Sequence, residues 1–206
     1  MLSEALAHCG LVAILRGIRP DEAPAIGAAL YAAGFRVVEV PLNSPDPLAS
    51  IRLLRDTLPP DCAVGAGTVL AASQVEPARR AGAELVVLPH GDATVIRAAK
   101  AAGMAAIPGV ATPTEAFAAL AAGADLLKAF PAEQIPPAVI RAWRAVLPPG
   151  TGVLPVGGIT LELLGPYLAA GVAGFGLGSA LYRPGATPAE VGARAEAFVA
   201  AWRKLS

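Results

Sequence analysis

Lys128 lies in the run Ala124-Asp125-Leu126-Leu127-Lys128-Ala129-Phe130-Pro131, which reads as a buried β-strand ending in a turn, in a chain whose other lysines are Lys100 and Lys204. An ammonium among apolar side chains has a lowered pKa, and a neutral amine is a nucleophile that can attack a carbonyl carbon and form a Schiff base. The structural alternative is a packed stem whose head reaches a carboxylate such as Asp125 or Glu133. Three further residues carry matching chemistry: Glu39 as a carboxylate for proton transfer, Arg16 as a cation for an anionic substrate group, and Thr68 as an orienting hydroxyl. Together they suit carbonyl chemistry through an imine. For Glu39 and Arg16 the alternative is a structural ion pair, Glu39 with Arg16 or Arg36.

These residues need a scaffold that brings them to one place. Eight short runs of β-branched and aliphatic residues recur every 20 to 28 residues: Leu11 to Leu15, Arg36 to Val40, Ala63 to Ala66, Leu85 to Leu88, Ala105 to Pro108, Asp125 to Lys128, Gly152 to Val156 and Gly174 to Leu177. Between them lie Ala-, Leu-, Glu- and Arg-rich stretches with helical spacing. The segment Asp21 to Leu30 has Pro24 in its first turn and Gly34 beyond its end. The triplets ending at Gly34, Gly103, Gly123 and Gly171 each precede a strand and look like left-handed helix caps. Strand plus crossover helix, eight times, predicts an α/β chain folded as a single (β/α)8 TIM barrel over residues 1–206, with residues 1 to 10 as a short N-terminal helix capping one end.

In such a barrel the strand C-termini converge on the site. Arg16, Glu39, Thr68 and Lys128 then face one cavity. Gly157 and Gly158 end the seventh strand and Gly178 and Ser179 the eighth, where barrels bind phosphate through backbone N–H groups and a helix N-terminus. A phosphorylated substrate follows, unless the glycines merely make tight turns.

The bulk composition narrows the partners. Sixteen basic and sixteen acidic residues balance, and the bases are scattered, which removes the footprint of a nucleic-acid binder. No apolar run approaches the length of a membrane span, although 55% of the residues are hydrophobic, so a soluble, cytoplasmic protein is expected. Cys9 and Cys62 read as reduced core residues, and His8 and His90 are too far apart in sequence to suggest a metal centre.

Over nearly its whole length the chain resembles the class I aldolases of 2-dehydro-3-deoxy-6-phospho-sugar acids, the KDPG/KHG aldolase family. The runs that carry the resemblance are Val12-Ala13-Ile14-Leu15-Arg16-Gly17, Val38-Glu39-Val40, Gly65-Ala66-Gly67-Thr68-Val69, Pro108-Gly109-Val110, Leu127-Lys128-Ala129-Phe130-Pro131 and Val156-Gly157-Gly158-Ile159. The resemblance implies Lys128 as Schiff-base lysine, Glu39 as proton shuttle, Arg16 and Thr68 as substrate contacts, and Gly157, Gly158, Gly178 and Ser179 as the phosphate site. It implies a homotrimer that needs no metal or other cofactor. Its partners would be a phosphorylated 2-keto-3-deoxy sugar acid, pyruvate and glyceraldehyde 3-phosphate.

Two subtypes compete. The phosphogluconate type usually carries an arginine four residues after the glutamate and a threonine before the Gly-Gly pair. Asn43 and Val156 stand there instead, and Glu39-Val40-Pro41-Leu42-Asn43-Ser44-Pro45 is similar to the phosphogalactonate type. Phe130-Pro131-Ala132-Glu133 is closer to the gluconate type, which keeps gluconate, 4-hydroxy-2-oxoglutarate or dual specificity as the alternative. Outside this family, the competing readings are a metal-dependent lyase or sugar-phosphate isomerase on the same scaffold, and a non-catalytic phosphate-binding barrel.

Overall fold

The computed structural model describes residues 2–206, so residue 1 of the expected leading helix lies outside the described residues. Every expected run forms a strand, with ends displaced by a residue or two. They are β1 (Leu11–Ile14), β2 (Val37–Pro41), β3 (Ala63–Gly67), β4 (Leu85–Val87), β5 (Ala105–Ile107), β6 (Gly109–Val110), β7 (Leu127–Ala129), β8 (Val153–Pro155) and β9 (Phe175–Leu177). The helices are α1 (Leu2–His8), α2 (Ala23–Ala33), α3 (Pro47–Thr57), α4 (Val75–Arg80), α5 (Ala93–Ala101), α6 (Pro113–Ala121), α7 (Pro137–Arg144), α8 (Leu161–Leu168) and α9 (Pro188–Leu205).

Local chemistry explains where the helices begin and end. Proline opens α2, α3, α6, α7 and α9, where its missing N–H is no loss. Thr112 with Glu115, and Thr187 with Glu190, close capping boxes at the starts of α6 and α9. Gly34, Gly103, Gly123 and Gly171 all have positive φ, as the repeated triplets require.

The expected closed eight-stranded barrel does not form. The parallel strands make a curled half-barrel of six, in the order β5-β4-β3-β2-β1-β9, and a separate sheet of three, β6-β7-β8. Both breaks fall at a proline. Pro108 ends the fifth run: before it β5 pairs with β4, and beyond it Gly109 and Val110 form β6, which pairs with β7. Its carbonyl accepts from Lys128 N at 2.8 Å, but it has no N–H to donate on that side. At the other seam Val156 N donates to Ala129 O on β7, so the neighbouring Pro155 is turned to β9 and has nothing to donate. A single bridge, Val156 to Gly176, joins β8 to β9.

The two sheets nevertheless surround one interior, because alternate residues of each strand point the same way. Outward residues such as Leu11, Ala13, Val38, Val40, Val64, Val86, Leu127, Ala129, Val153 and Phe175 join the main core under the helices. Inward residues Val12, Val37, Ala63, Leu85, Val87, Ile107 and Leu154 form a second cluster. Helix α1 places Ala5, Leu2 and Leu6 against that cluster at the N-terminal ends of the strands. The same alternation turns Glu39 and Lys128 inward, at the other end.

Candidate active site

Lys128 sits mid-β7 with its side chain inside, 6% exposed, and its Nζ lies 4.5 Å from the centroid of the Phe130 ring. Neither carboxylate that could have made it structural holds it. Asp125 is taken by Lys100 at 2.7 Å and by Ala106 N, and Glu133 lies at the Gly157-Gly158 turn. Burial pulls the Lys128 pKa below its ordinary value, opposed by the charge of Glu39 and reinforced by that of Arg16.

Glu39 shares the same narrow cavity with Lys128, Val12, Ile14, Val87, Ile107, Leu154, Val156 and Gly176. It is 2% exposed, and its Oε2 has no hydrogen-bond partner among the described residues. Burial pushes its pKa up to about 7, against the pull of Lys128 and Arg16. The alternative ion pairs do not form: Arg36 binds Asp61 at 3.1 Å, and Arg16 turns to other partners. The interior thus holds an amine shifted toward neutrality beside a carboxyl poised near neutral pH, a combination able to add to a carbonyl and shuttle a proton.

Arg16, just beyond β1, gathers the polar rim. Its Nη1 donates to Asn43 Oδ1 at 2.8 Å and lies 3.4 Å from Thr68 Oγ1. Thr68 has φ +52°, a left-handed conformation that a β-branched residue adopts only under constraint. Ser44 fixes the next loop by accepting from Gly17 N at 2.9 Å. Of the two residues that separate the subtypes, Asn43 is therefore on the rim with Arg16, and Val156 is in the inner cavity with Lys128.

The glycine turns also lie at this end. Gly157 and Gly158 have φ +108° and +60°, and a Cβ on either would meet the Glu133 side chain, at 2.5 Å from Oε2 and 2.9 Å from Cγ respectively. Gly178 faces open space and starts a helical turn, its carbonyl accepting from Leu181 N and Tyr182 N at 2.9 Å. Ser179 is exposed beside it. The Glu133 turn is held by Ala132 N donating to Val156 O, and by Tyr167 Oη donating to Ala132 O and Ile135 O.

The family model for KDPG and KHG aldolases matches residues 2–191. The chain belongs to this aldolase family. It is 48% identical over 194 residues to the 2-dehydro-3-deoxy-6-phosphogalactonate aldolase of Escherichia coli (strain K12), covering 94% of this chain and 95% of that protein. Identity is likewise 48% over 192 residues to the probable 2-dehydro-3-deoxy-6-phosphogalactonate aldolase of Rhizobium meliloti (strain 1021), covering 93% and 91%. A solved structure described as native KDPGal superposes with a TM-score of 0.93 at 48% identity, covering 95% of each chain.

Three features of this candidate site escaped the reading of the sequence. Phe130 supports the lysine head, Glu133 packs on the Gly-Gly turn, and Gly67 makes room for the Glu39 carboxyl, with Oε1 at 2.6 Å from where a Cβ would stand. The Gly65-Ala66-Gly67 run was the available signal for the last. Nothing local marked the other two.

A second cavity, about 880 Å³, opens around α1 at the opposite ends of the strands. It is the larger, yet its charged residues are mutually paired, Lys100 with Asp125 at 2.7 Å, or bonded to neighbours outside it, Glu84 with Arg55 at 2.9 Å and Arg79 with Glu76 at 2.8 Å. Volume and chemistry point to different ends, and chemistry decides. Among the described residues no group of three or more His, Cys, Asp or Glu side chains is set around a common point, and no helix is long and apolar enough to cross a membrane.

Proposed function

We propose that this chain is a class I aldolase that cleaves 2-dehydro-3-deoxy-6-phosphogalactonate reversibly to pyruvate and D-glyceraldehyde 3-phosphate. The observation that carries the reading is the buried Lys128, without a hydrogen-bonded carboxylate, in one cavity with the buried carboxyl of Glu39. Lys128 Nζ attacks the C2 ketone, and loss of water leaves a protonated imine. Glu39, directly or through one water, takes the proton from the C4 hydroxyl. The C3–C4 bond breaks, its electrons pass into the enamine, and the aldehyde leaves. Returning that proton to C3 and adding water releases pyruvate and the free amine.

Arg16 serves the anionic end of the keto acid and, by its charge, helps keep Lys128 neutral. Thr68 orients the substrate, and Gly157, Gly158, Gly178 and Ser179 take the phosphate with backbone N–H groups. Residues 1–206 act as one catalytic domain. The working unit is a cytoplasmic homotrimer, as the family resemblance implies; exposed Leu70 and Phe117 are compatible with self-association, and light scattering of the eluting protein measures the number of subunits.

Borohydride added with pyruvate should reduce the imine and leave a stable adduct on Lys128. Full cleavage activity in Lys128→Ala, or no adduct in the native protein, sinks the mechanism. The epimer is a separate question. Asn43 bonded to Arg16, and Val156 lining the inner cavity, support galactonate, whereas Phe130-Pro131-Ala132-Glu133 favours the gluconate alternative. Cleavage rates on the two C4 epimers decide, with the higher kcat/KM expected for the galactonate form.

A further inference from the structure

The inward face of β3 is nearly bare, carrying a single methyl group. Its three inward positions are Ala63, Gly65 and Gly67, and neighbouring strands fill the space they leave. A Cβ on Gly65 would stand 2.7 Å from Leu85 Cγ. One on Gly67 would run into the Glu39 carboxyl, overlapping Oε2 and lying 2.6 Å from Oε1. Neither glycine has a positive φ, so backbone conformation does not require glycine at either place. What requires it is the side chain lying across.

Gly67 pairs with Pro41 and Glu39 pairs with Gly65, so the glutamate leans one pleat along β3 to reach this niche. There its Oε2 is shut away from water and, among the described residues, from every hydrogen-bond donor. The charged groups facing it are Lys128 from β7 and Arg16 from the end of β1. In this position the carboxyl is 2% exposed and packed against the backbone of Gly67.

We propose that Gly67 is a positioning residue for Glu39: the missing side chain on β3 is the seat that holds the proton carrier buried and unpartnered beside Lys128. The inference rests on Glu39 being that carrier. It predicts a volume relation, in which a methyl added at position 67 is offset by a methylene removed at position 39.

The test compares G67A, E39D, the G67A/E39D pair and E39Q, with kcat and kcat/KM measured across pH and pyruvate trapping by borohydride in parallel. In G67A the carboxyl is pushed from its seat, so kcat should fall by about 100-fold, the scale of a displaced general acid or base. The acidic limb of the kcat/KM profile should move to lower pH as the carboxyl regains water. Lys128 should still be trapped by pyruvate. E39D alone leaves the carboxyl short of reach, and adding the G67A methyl behind it should raise kcat by roughly tenfold.

Should G67A alone not fold, E39D against G67A/E39D carries the test. A double variant no faster than E39D overturns the proposal, as does a G67A enzyme with native kcat and an unmoved acidic limb. Full activity in E39Q would instead mean that Glu39 is not the proton carrier, a different failure.

Discussion

The two ends of the strands treat charge in opposite ways. At the N-terminal ends charges are matched in pairs: Lys100 with Asp125 at 2.7 Å, Arg55 with Glu84 at 2.9 Å, and Arg36 with Asp61 at 3.1 Å. Several also satisfy backbone, as Arg55 does on the carbonyls of Leu58, Pro59 and Cys62. At the C-terminal ends Lys128 and Glu39 are buried more deeply, yet among the described residues no hydrogen bond satisfies Glu39 Oε2 and no carboxylate grips Lys128. Paired charges at one end are satisfied within the scaffold and, being partly exposed, add little to its stability. Charges held apart at the other are shifted toward their neutral forms, as the proposed mechanism requires.

The sharpest way to break this contrast is to remove one lysine from each end. Lys128→Met should abolish cleavage, by roughly 1,000-fold or more, because no other amine lines the cavity. Its melting temperature should hold or rise, since an apolar side chain of similar length replaces a poorly compensated buried amine. Lys100→Met should leave cleavage intact and cost less than about 1 kcal/mol, because that pair is more than one-third exposed and screened. Equal loss of activity in the two variants, followed by turnover assay and thermal melts, would end the distinction.

Glu39→Gln comes next, with a fall in kcat of about 100- to 1,000-fold. It also carries a pH signature. The folded state holds the Glu39 proton up to about 7, against an ordinary value of 4.5, so between those values the folded chain binds more protons than the unfolded one. Stability from this group is therefore lost as pH rises through that window, on the order of 3 kcal/mol by linkage. E39Q lacks the effect. Denaturant midpoints of the two proteins should lie close at pH 4.5 and diverge above pH 7 with E39Q the more stable. In activity, cleavage by the native enzyme should weaken below about pH 7 as Glu39 holds its proton.

The rim gives a smaller effect. Val156→Thr combined with Asn43→Arg places polar groups where the gluconate type has them, and the ratio of kcat/KM for the two C4 epimers should move toward gluconate by about tenfold, the worth of one or two hydrogen bonds. Val156 also packs on Gly176, 2.6 Å from where its Cβ would stand, so the threonine must keep the methyl in that contact. Rates on both epimers for the single and double variants measure it.

How much of this was legible in the sequence differs between strands and sheet. Hydrophobic runs bounded by turn residues located every strand but the two-residue β6, and alternation within β2 and β7 turned Glu39 and Lys128 inward. Closure is another matter, since it depends on hydrogen bonds between strands far apart in the chain. Pro108 and Pro155 were visible, and a proline inside a run signals a lost ladder bond. Which neighbour loses that bond depends on which way each residue faces, and local pattern does not reveal it. The proposed site was legible in its residue types, as at Lys128, which the structure buries in one cavity with Glu39. It was obscure where geometry needs an absence, as at Gly67, or where one side chain merely rests on another element, as Glu133 does.

Glu133 sharpens the contrast at its weakest point, because it puts an anion where the phosphate end of the substrate is proposed to bind. Its side chain lies along the Gly157-Gly158 turn, and the 132–135 turn that carries it is pinned by Tyr167. A carboxylate in that place repels a phosphate dianion, though an exposed one does so through screening water. Glu133→Gln keeps the shape and removes the charge, so KM for the phosphorylated substrate should fall by roughly two- to fivefold at low salt. The gain should shrink as salt is added, with kcat for the chemical step unchanged. An unphosphorylated keto acid cleaved by the same enzyme should show no difference. A KM that rises in Glu133→Gln would mean that the carboxylate supports the turn, and its packing on the two glycines would then be a structural use of a charged side chain at the site end as well.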